Sequence, residues 1–425
     1  MVTEVDREGL TPARFRSFVG DLMELLDGVG RQSLTEVLEM IDEPLARFEH
    51  EAEVLRYRGQ AEREWLTAMG KITVARRTYR GDGSGAKGVV PLDLACGMTN
   101  RFMTPDVEEM SMYATAMVTP REAEQLLAKT LPEAPSATAI QNAMRRIGTA
   151  IREHRDTIED AICEREPLSA DGDTLVVSWD GVMTPLREQS KVGWREAGVA
   201  TVSVYSQSDD GPKKQDSRYL ARMPESGMTT LLEQVVDQVR RATQDRTFRE
   251  FAIVCDGKEA IWDAAAEHPE LRTALWILDF YHASENLMKA AKAIFGDDEV
   301  AGHRWHRKLC KKMLDEPAGA DSAIRSMRRY RKMLPRHGKR AKSVGNAVRY
   351  FCLHRHRMCY AEFAEMGLPI GSGNVESAAK NIVQARLKRS GMRWSRDGGQ
   401  HVLDLRTYLK SGRWEIMWDT LQKAA

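Results

Sequence analysis

The sequence predicts a protein of the α+β or α/β class, with a mixed-sheet core, an all-α insertion in that core and a largely helical N-terminal region. Three observations carry this prediction. Three consecutive β-branched runs are separated by turn residues, which is typical of an antiparallel meander. An amphipathic helix and two apolar strands follow, and each strand leads into a helix, as in a parallel sheet. A long basic segment with helical spacing then interrupts the core before its last helix.

This order of elements (three antiparallel strands, a helix, then strand, helix, strand, helix) is that of an RNase H-like fold. The first part of the core is expected at 171–297, the basic insertion at 298–365, and the last helix with the end of the core at 366–425. The predicted elements of the first part are, in order, TLVVSWD (174–180), GVATVSVYS (198–206), SRYLARM (217–223), the helix MTTLLEQVVDQVRRA (228–242), FAIVCD (251–256) and ALWILD (274–279).

The region before the core divides into two parts. Residues 1–70 are expected to be helical, because apolar residues such as Phe15, Phe18 and Leu22 recur at helical spacing from residue 10 onward. The second part, 71–165, begins with KITVARRTY, which alternates like a strand, and continues with the loop GDGSGAKG.

Helices dominate the rest of the second part. Thr-Pro pairs at 104–105 and 119–120 predict helix starts. REAEQLLAKTL and SATAIQNAMRRIG predict two helices joined by a tight turn, with Ser136 or Thr138 as the cap of the second. This pair is either a helix-turn-helix whose second helix enters the major groove of DNA, or simply two packed helices.

The charge is unevenly distributed, although the formal net charge is only +1. Residues 1–70 contain 15 acidic and 8 basic residues, whereas 301–360 contain 17 Lys and Arg and 3 Asp and Glu. Such a basic segment repels itself unless a polyanion neutralises it, so we expect double-stranded DNA to bind there. A helical surface of mixed function is the alternative. The candidate DNA contacts of this segment are Arg328, Arg329, Arg331 and Lys332.

The composition, with 42% hydrophobic and 29% charged residues, is that of a soluble protein of two or three domains. No apolar run approaches the roughly 18 residues of a membrane span, and the polar start MVTEVDREGL does not resemble a secretory signal. The six cysteines form no Cys-x-x-Cys pair, so free thiols are expected. We therefore predict a cytoplasmic, nucleoid-associated protein with no membrane partner.

Two aspartates are candidate ligands of divalent metal ions. Asp180 and Asp256 each close a predicted strand, and these strands are neighbours in an RNase H-like sheet. Mg²⁺ and Mn²⁺ prefer oxygen ligands, and phosphoryl transfer by a pair of such ions needs carboxylates gathered around them. Gly181 and Gly257 follow the aspartates and would leave the backbone open to substrate. The alternative is that each Asp-Gly pair merely turns the chain.

Glu376 is the candidate third carboxylate. It lies in GSGNVESAAKN, where Ser372 or Asn374 can cap a helix whose first turn holds the glutamate. The alternative is an acid that only complements the helix dipole. A basic stretch without any acid follows, and its residues are candidate DNA contacts, with Trp394 either stacking on a base or lying in the core. These candidates are Arg386, Lys388, Arg389, Arg393, Trp394 and Arg396.

Asp279 and His282 form the last constellation, with the aspartate at a strand end and the histidine one turn later. Asp256 and Asp279 both close apolar strands, so either is a possible second ligand beside Asp180. The expected sheet order favours Asp256, because the strand of Asp279 lies one place further out, at about 9–10 Å. Asp279 and His282 are then expected to contact the metal ligands without binding the ions themselves.

The motifs VSWDGV, IVCDGKEAIW, LDFYHASENL and GSGNVESAAKNIVQARLKRSGMRWS resemble the core of bacterial insertion-sequence transposases of the DDE class, in particular the ISKra group. More distantly they are similar to Mutator-type enzymes. The resemblance covers about residues 90–420 and is most specific in the last motif. It implies an RNase H-like catalytic domain with a helical insertion, and metal-dependent cleavage and transfer of DNA strands at the ends of an insertion sequence.

Carried over residue by residue, the resemblance places the triad on Asp180, Asp256 and Glu376, with two Mg²⁺ or Mn²⁺ ions, and the Asp-x-x-His motif on Asp279 and His282. Many members of the group carry a Cys-x-x-Cys pair before the Pro-Leu-Asp motif. Here that loop reads RGDGSGAKGVVPLD, so no zinc site is expected.

The partners implied are the transposon ends and the target DNA, bound by a homodimer or a larger assembly. Two alternatives stay open: a catalytically inactive or domesticated DNA-binding protein, and a plain RNase H-type nuclease.

Overall fold

The computed structural model describes residues 11–51, 53–82, 88–188 and 191–424, which form a mixed α+β architecture with two sheets, as predicted. The polar start at 1–10 and most of the predicted loop, 83–87, lie outside the described residues. Two compact units can be distinguished. The first takes the described residues up to Ile158 and from Met417 onward, and the second is Glu159–Ile416.

The first unit begins with a long helix and an antiparallel sheet. Thr11 caps the helix by accepting a hydrogen bond from the backbone N–H of Arg14, at 3.3 Å. Leu34 and Leu38 of this helix pack against the sheet. The sheet has the order β1-β2-β3-β4 in the described residues. These elements are α1 (Pro12–Ile41), β1 (Arg47–His50), β2 (Glu53–Thr67), β3 (Gly70–Arg80) and β4 (Gly88–Val89).

The prediction of helix throughout 10–70 was wrong from residue 47 onward, whereas the strand predicted at 71–79 is confirmed as β3. β2 forms a hairpin with β3, and their register runs to Thr67↔Gly70. Gly70 has a φ of +102°, which favours glycine and allows the tight turn. Charged residues on the open face of β2 hide its alternation, so the segment resembles a polar helix in sequence.

Helices complete the first unit, and the predicted starts are confirmed. Thr104, Thr119 and Ser136 are the residues that precede three of them, and Thr119 forms a capping box with Glu122. The helices are α2 (Pro91–Ala95), α3 (Pro105–Met117), α4 (Pro120–Leu127), α5 (Ala137–Glu153) and α6 (Arg155–Arg165), of which α6 leads into the second unit.

The second unit contains a five-stranded sheet in its described part, with the order β7-β6-β5-β8-β9. β5, β6 and β7 are antiparallel neighbours, whereas β8 and β9 join β5 in parallel. All five predicted strands are therefore present. The strands are β5 (Thr174–Glu188), β6 (Lys191–Ser208), β7 (Gly211–Arg222), β8 (Glu250–Cys255) and β9 (Leu275–Leu278).

One boundary was predicted wrongly. Asp180 does not end β5, because antiparallel pairing with β6 continues past Asp180↔Val199 as far as Glu188↔Lys191. β8, in contrast, pairs with β5 only up to Val177. Asp180 therefore lies inside a long strand, just beyond the point where its parallel neighbour stops.

Helices cover both faces of this sheet. Val199 and Ala200 of β6 point to opposite faces: Val199 packs with the C-terminal helices α15 and α17, and Ala200 with α7. The segment predicted as a basic insertion is all-α, as α11 to α14. The helices are α7 (Thr229–Thr243), α8 (Glu259–Glu267), α9 (Pro269–Arg272), α10 (Phe280–Phe295), α11 (Glu299–Asp315), α12 (Gly319–Arg331), α13 (Lys339–His354), α14 (Tyr360–Glu365), α15 (Gly373–Ala378), α16 (Ala385–Leu387), α17 (Arg396–Lys410) and α18 (Trp414–Ala424).

A π-helical turn, Ala379–Gln384, joins α15 to α16. Within the described ranges, none of the helices combines the length and the apolar character that crossing a lipid bilayer requires.

Candidate active site

Three aspartates lie at the carboxyl ends of the parallel pairings of three neighbouring strands: Asp180 in β5, Asp256 directly after β8 and Asp279 directly after β9. The parallel pairing of β5 with β8 ends three residues before Asp180 and Asp256, so continuing the register sets these two opposite each other. The pairing of β8 with β9 ends one residue before Asp256 and Asp279, which are therefore also opposite. Because neighbouring strands are about 4.8 Å apart, Asp256 is one spacing from Asp180 and Asp279 about two. The predicted order of the three strands is confirmed.

Asp180 is half-buried, and its Oδ1 accepts a hydrogen bond from the backbone N–H of Gly181 at 2.6 Å. Burial raises the pKa of this carboxyl above its usual value, and the nearby negative charge of Asp256 raises it further, against the hydrogen bond from Gly181 and the positive charge of Lys258. A carboxyl group whose ionisation is opposed by burial and by a neighbouring carboxylate is a favourable place for a cation.

A lysine that the sequence analysis missed lies beside Asp256. The Nζ of Lys258 is 2.7 Å from Oε1 of Glu196 and 3.9 Å from Oδ2 of Asp256. Lys258 also donates its backbone N–H to Oδ1 of Asp256 at 3.0 Å. The only sequence signal was its place two residues after a candidate ligand, while Glu196 lies on β6 and becomes a neighbour only through the antiparallel pairing.

Asp279 is fully buried and its carboxylate is occupied by protein donors. Its Oδ1 accepts from the backbone N–H groups of Tyr281 at 2.6 Å and His282 at 3.3 Å, which caps α10. Its Oδ2 accepts from Ser372, both from the backbone N–H at 2.9 Å and from the hydroxyl. Burial by itself raises the pKa of Asp279, but the hydrogen bonds of His282 and Ser372 outweigh it and hold that pKa below its usual value.

His282 faces the same carboxylates. Its Nδ1 lies 3.8 Å from Oδ2 of Asp279. The Nδ1 atom is buried and has no hydrogen-bond partner among the described residues. The interaction with Asp279 raises the pKa of His282 to about 9, with a further contribution from Asp256. The imidazole is thus positively charged at neutral pH in this arrangement.

Glu376 lies in the first turn of α15, which is held to the sheet at two points. Ser372 precedes the helix, as predicted, but its hydroxyl binds Asp279 rather than capping the helix. The side-chain amide of Asn374 donates to the hydroxyls of Ser203 at 2.7 Å and Ser217 at 3.1 Å. These contacts bring Glu376 to the face of the sheet on which Asp180 lies.

One group of three ligand-type side chains is tightly gathered in the part of the chain that the structure describes. The ligand atoms of Asp279, His282 and Glu376 all lie within 4.8 Å of one another. In the same described residues, the predicted triad of Asp180, Asp256 and Glu376 is not gathered as closely. The structure thus brings Glu376 to Asp279 and His282, and Asp180 to Asp256, as two adjoining groups.

The glycines near the site are explained mostly by packing. A Cβ on Gly257 would overlap the hydroxyl of Tyr350, and one on Gly181 would overlap the side chain of Glu196. The space beside both glycines is therefore filled by the protein, contrary to the expectation of open backbone. A Cβ on Gly371 would lie 2.9 Å from the ring of Tyr281, whereas Gly373 has no atom within 4 Å. Of these two, only Gly371 is required for a close approach.

Two of the predicted DNA contacts after α15 need correction. Arg386 is 0% exposed, and its guanidinium carbon lies 5.5 Å from the ring centroid of Trp394. Trp394 is half-buried, and its Nε1 donates to the backbone carbonyl of Leu387 at 3.2 Å. The π-helical turn explains the error for Arg386, because an extra residue in a helix rotates everything after it by about 100°. Lys388, Arg389, Arg393 and Arg396 are exposed.

An exposed tryptophan lies next to these cations. Trp194 on β6 is 55% exposed, and the Nζ of Lys388 lies 5.8 Å from its ring centroid. The loop that contains Arg393 is attached to β5 by a backbone hydrogen bond from Arg187 to the carbonyl of Trp394, at 2.8 Å. The sequence analysis missed Trp194 because nothing in its local pattern sets it apart from a strand residue.

The basic insertion presents two clusters of exposed cations. The predicted cluster at the end of α12 is exposed, although Arg328 donates to the Sγ of Cys352 at 3.3 Å. The second cluster was not predicted. It lies on one face of α11 at helical spacing, and the side chains of its members make no hydrogen bond or ion pair with any described residue. The members of this α11 cluster are Arg304, Arg307, Lys308 and Lys311.

The chain belongs to an uncharacterised protein family, UPF0236, whose model matches residues 12–419. Nothing among the curated proteins matches the chain.

Proposed function

We propose that this protein is a transposase of the DDE class, which cleaves and joins DNA at the ends of an insertion sequence. One observation carries the proposal: Asp180 and Asp256 each lie three residues beyond the last pair of the adjacent strands β5 and β8, close enough for the charge of Asp256 to act on Asp180, and α15 brings Glu376 to the same face. The sheet order, with three antiparallel strands and two parallel ones, supports an RNase H-like core. The exposed cations of α11 and α12 support DNA as the substrate.

Asp180, Asp256 and Glu376 would hold two Mg²⁺ or Mn²⁺ ions. The donor set fits, because hard divalent cations prefer oxygen ligands and because the charge of Asp256 and burial oppose the ionisation of Asp180, which a shared cation would relieve. When bound, such ions supply activation of the attacking water or 3′-hydroxyl and stabilisation of the leaving oxygen.

Asp279 acts as a positioning residue in this proposal. Each of its carboxylate oxygens already accepts two hydrogen bonds from the protein, so it has little capacity left for an ion. By holding Ser372 it fixes the start of α15 and therefore the position of Glu376. His282, which is positively charged and next to Glu376, orients that carboxylate, and Lys258 beside Asp256 is placed to bind a phosphate oxygen.

The test is an assay of the full-length protein with Mn²⁺ on DNA that contains the ends flanking its gene, with separate detection of cut and joined products. We expect both products, and none from Asp180→Asn, which should still bind DNA. DNA binding without cleavage by the wild-type protein would indicate the inactive DNA-binding alternative. Cleavage without any joined product would indicate a plain nuclease.

A further inference from the structure

We propose that the first half of α1 is a self-association surface, through which two copies of this chain pair without DNA. The exposed apolar side chains that form this surface are together called the α1 seam. They are Phe15, Phe18, Val19, Leu22, Met23, Leu25, Leu26 and Val29. None of them lies in the candidate active site, so the inference does not rest on the proposed function.

The seam is exposed along its whole length. The exposed fractions run from 37% at Phe18 to 61% at Leu25. Among the residues of α1, only Leu38 is buried. Burying apolar surface is the main favourable term in association, so a helix face of this kind is stable only when something covers it.

The two halves of α1 differ in their contacts with the rest of the first unit. The second half is attached to the first unit, because Leu34 and Leu38 pack on the core around Trp65 and Ile72, and Arg31 donates to the carbonyl of Met69 at 2.7 Å. The first half makes no such packing with this core. The first half of α1 is therefore anchored through the second half, and its apolar face is exposed to a partner.

The spacing of the seam fits a second helix of the same kind. Phe15, Phe18, Leu22, Leu25 and Val29 are separated by three, four, three and four residues. This is the 3.5-residue repeat of a coiled coil, in which each apolar side chain inserts between four residues of the facing helix. A repeat of this kind is complementary to itself, so a second copy of α1 is the occupant that the sequence specifies.

The area is sufficient for a dimer. Eight half-exposed apolar side chains offer roughly 500 Å² on each copy, taking about 100–120 Å² for a whole aliphatic side chain and more for phenylalanine. If all of this surface were covered, pairing two copies would bury roughly 1,000 Å² in total, which is where specific protein interfaces begin.

The charges around the seam disfavour other occupants. Asp21, Glu24 and Asp27 lie among the apolar residues, and the region 1–70 contains 15 acidic and 8 basic residues. DNA would be repelled by this surface, and helices that lie on anionic membranes are rich in Lys and Arg instead. A second copy carries the same acids, but Asp21, Glu24 and Asp27 lie outside the 3.5-residue repeat, so two seams can meet without placing these acids at the centre of the contact.

The experiment measures the mass of the full-length protein in the absence of DNA, by light scattering across a range of micromolar concentrations. We expect twice the chain mass of 48.0 kDa for the wild-type protein. Leu22→Glu combined with Leu25→Glu should give the mass of a single chain that still unfolds cooperatively, because neither side chain is buried in the monomer. Its thermal unfolding temperature should no longer rise with protein concentration, as that of a dimer does.

The matched control is Val37→Glu combined with Met40→Glu. Both positions lie on the same helix and are 44% and 71% exposed, but they are outside the 3.5-residue repeat. This variant should keep the mass of the dimer. A single-chain mass for the wild-type protein, or a dimer that survives Leu22→Glu with Leu25→Glu, would overturn the proposal. A defect in DNA cleavage alone would not overturn the proposal of self-association, since cleavage depends on the candidate active site.

Discussion

Ser372 donates two hydrogen bonds, from its backbone N–H and its hydroxyl, to one carboxylate oxygen of Asp279, which lies 93 residues earlier in the chain. Asp279 follows β9 and begins α10, and Ser372 precedes the helix that contains Glu376. The all-α insertion lies between them in sequence. This contact thus joins the two ends of the insertion and holds the helix of Glu376 against the sheet.

Ser372→Ala removes the hydroxyl donor but keeps the backbone one. We expect a loss of about 1–2 kcal/mol in the free energy of unfolding, since a buried acceptor loses one of its partners. If the hydroxyl also positions Glu376, the rate of DNA cleavage should fall while the affinity for DNA stays unchanged. The control is Ser377→Ala on the exposed side of α15, which should change neither quantity. Equal behaviour of the two variants would contradict the role of Ser372.

Asp256→Ala and Asp279→Ala should fail for different reasons. Asp256→Ala removes a partly buried carboxylate that the proposed function makes a metal ligand, so we expect a folded protein that binds DNA and does not cleave it. Asp279→Ala leaves several buried donors without an acceptor, so we expect it to be destabilised by roughly 3 kcal/mol. Cleavage with Mn²⁺ and thermal unfolding should be measured for both. If Asp279→Ala is folded and inactive while Asp256→Ala still cleaves, the two roles must be exchanged.

The α11 cluster should contribute to the salt dependence of DNA binding. If six basic residues of the insertion neutralise phosphates, the logarithm of the affinity should fall with the logarithm of salt with a slope of about −5. Replacing all four residues of the cluster by alanine should make the slope shallower by about 3 to 4, because each contact contributes about 0.9.

The cluster at the end of α12 provides the comparison. Replacing Arg328, Arg329, Arg331 and Lys332 by alanine should also reduce the slope, but by less, because Arg328 is already bonded to Cys352. The slopes should be obtained from titrations at several salt concentrations. A slope unchanged in either variant would mean that this cluster faces away from DNA.

Gly257→Ala and Gly373→Ala are a matched pair in two motifs of the site. A Cβ on Gly257 would overlap Tyr350, so we expect Gly257→Ala to cost about 1–3 kcal/mol of stability unless that ring can move. Gly373 begins α15 and has open space beside it, so Gly373→Ala should be neutral to within about 0.5 kcal/mol. Denaturant unfolding of both variants checks this. A neutral Gly257→Ala would show that packing does not explain this glycine.

Much of the fold could be predicted from local patterns. The β-branched and apolar runs predicted strands β5 to β9, and the Thr-Pro pairs predicted helix starts. The N-terminal hairpin could not be predicted in this way, since the charged residues of β2 acquire a strand partner only through β3. The length of β5 was missed for a similar reason: pairing with β6 overrides the turn preference of Asp180-Gly181.

The candidate site was predictable as a set of acids, but not in its supporting contacts. The prediction of Asp180, Asp256 and Glu376 rests on expected strand and helix ends, although Asp180 in fact lies inside β5. The bond between Ser372 and Asp279 depends on elements 93 residues apart, and the burial of Arg386 depends on a π-helical turn. Neither leaves a periodic signal in the sequence.

The carboxylates of the proposed triad come from residues 180, 256 and 376, and the last of them follows the whole insertion. A chain that stops short of Ser372 would retain α1 and the exposed cations of α11, but not Glu376. A fragment of this kind that stays folded without α15 and α17 would, under the proposed function, occupy DNA and through the α1 seam a complete copy as well, without supplying Glu376. Shortened chains should thus act as dominant inhibitors of the complete protein, so that its activity in a cell would depend on the ratio of complete to truncated copies.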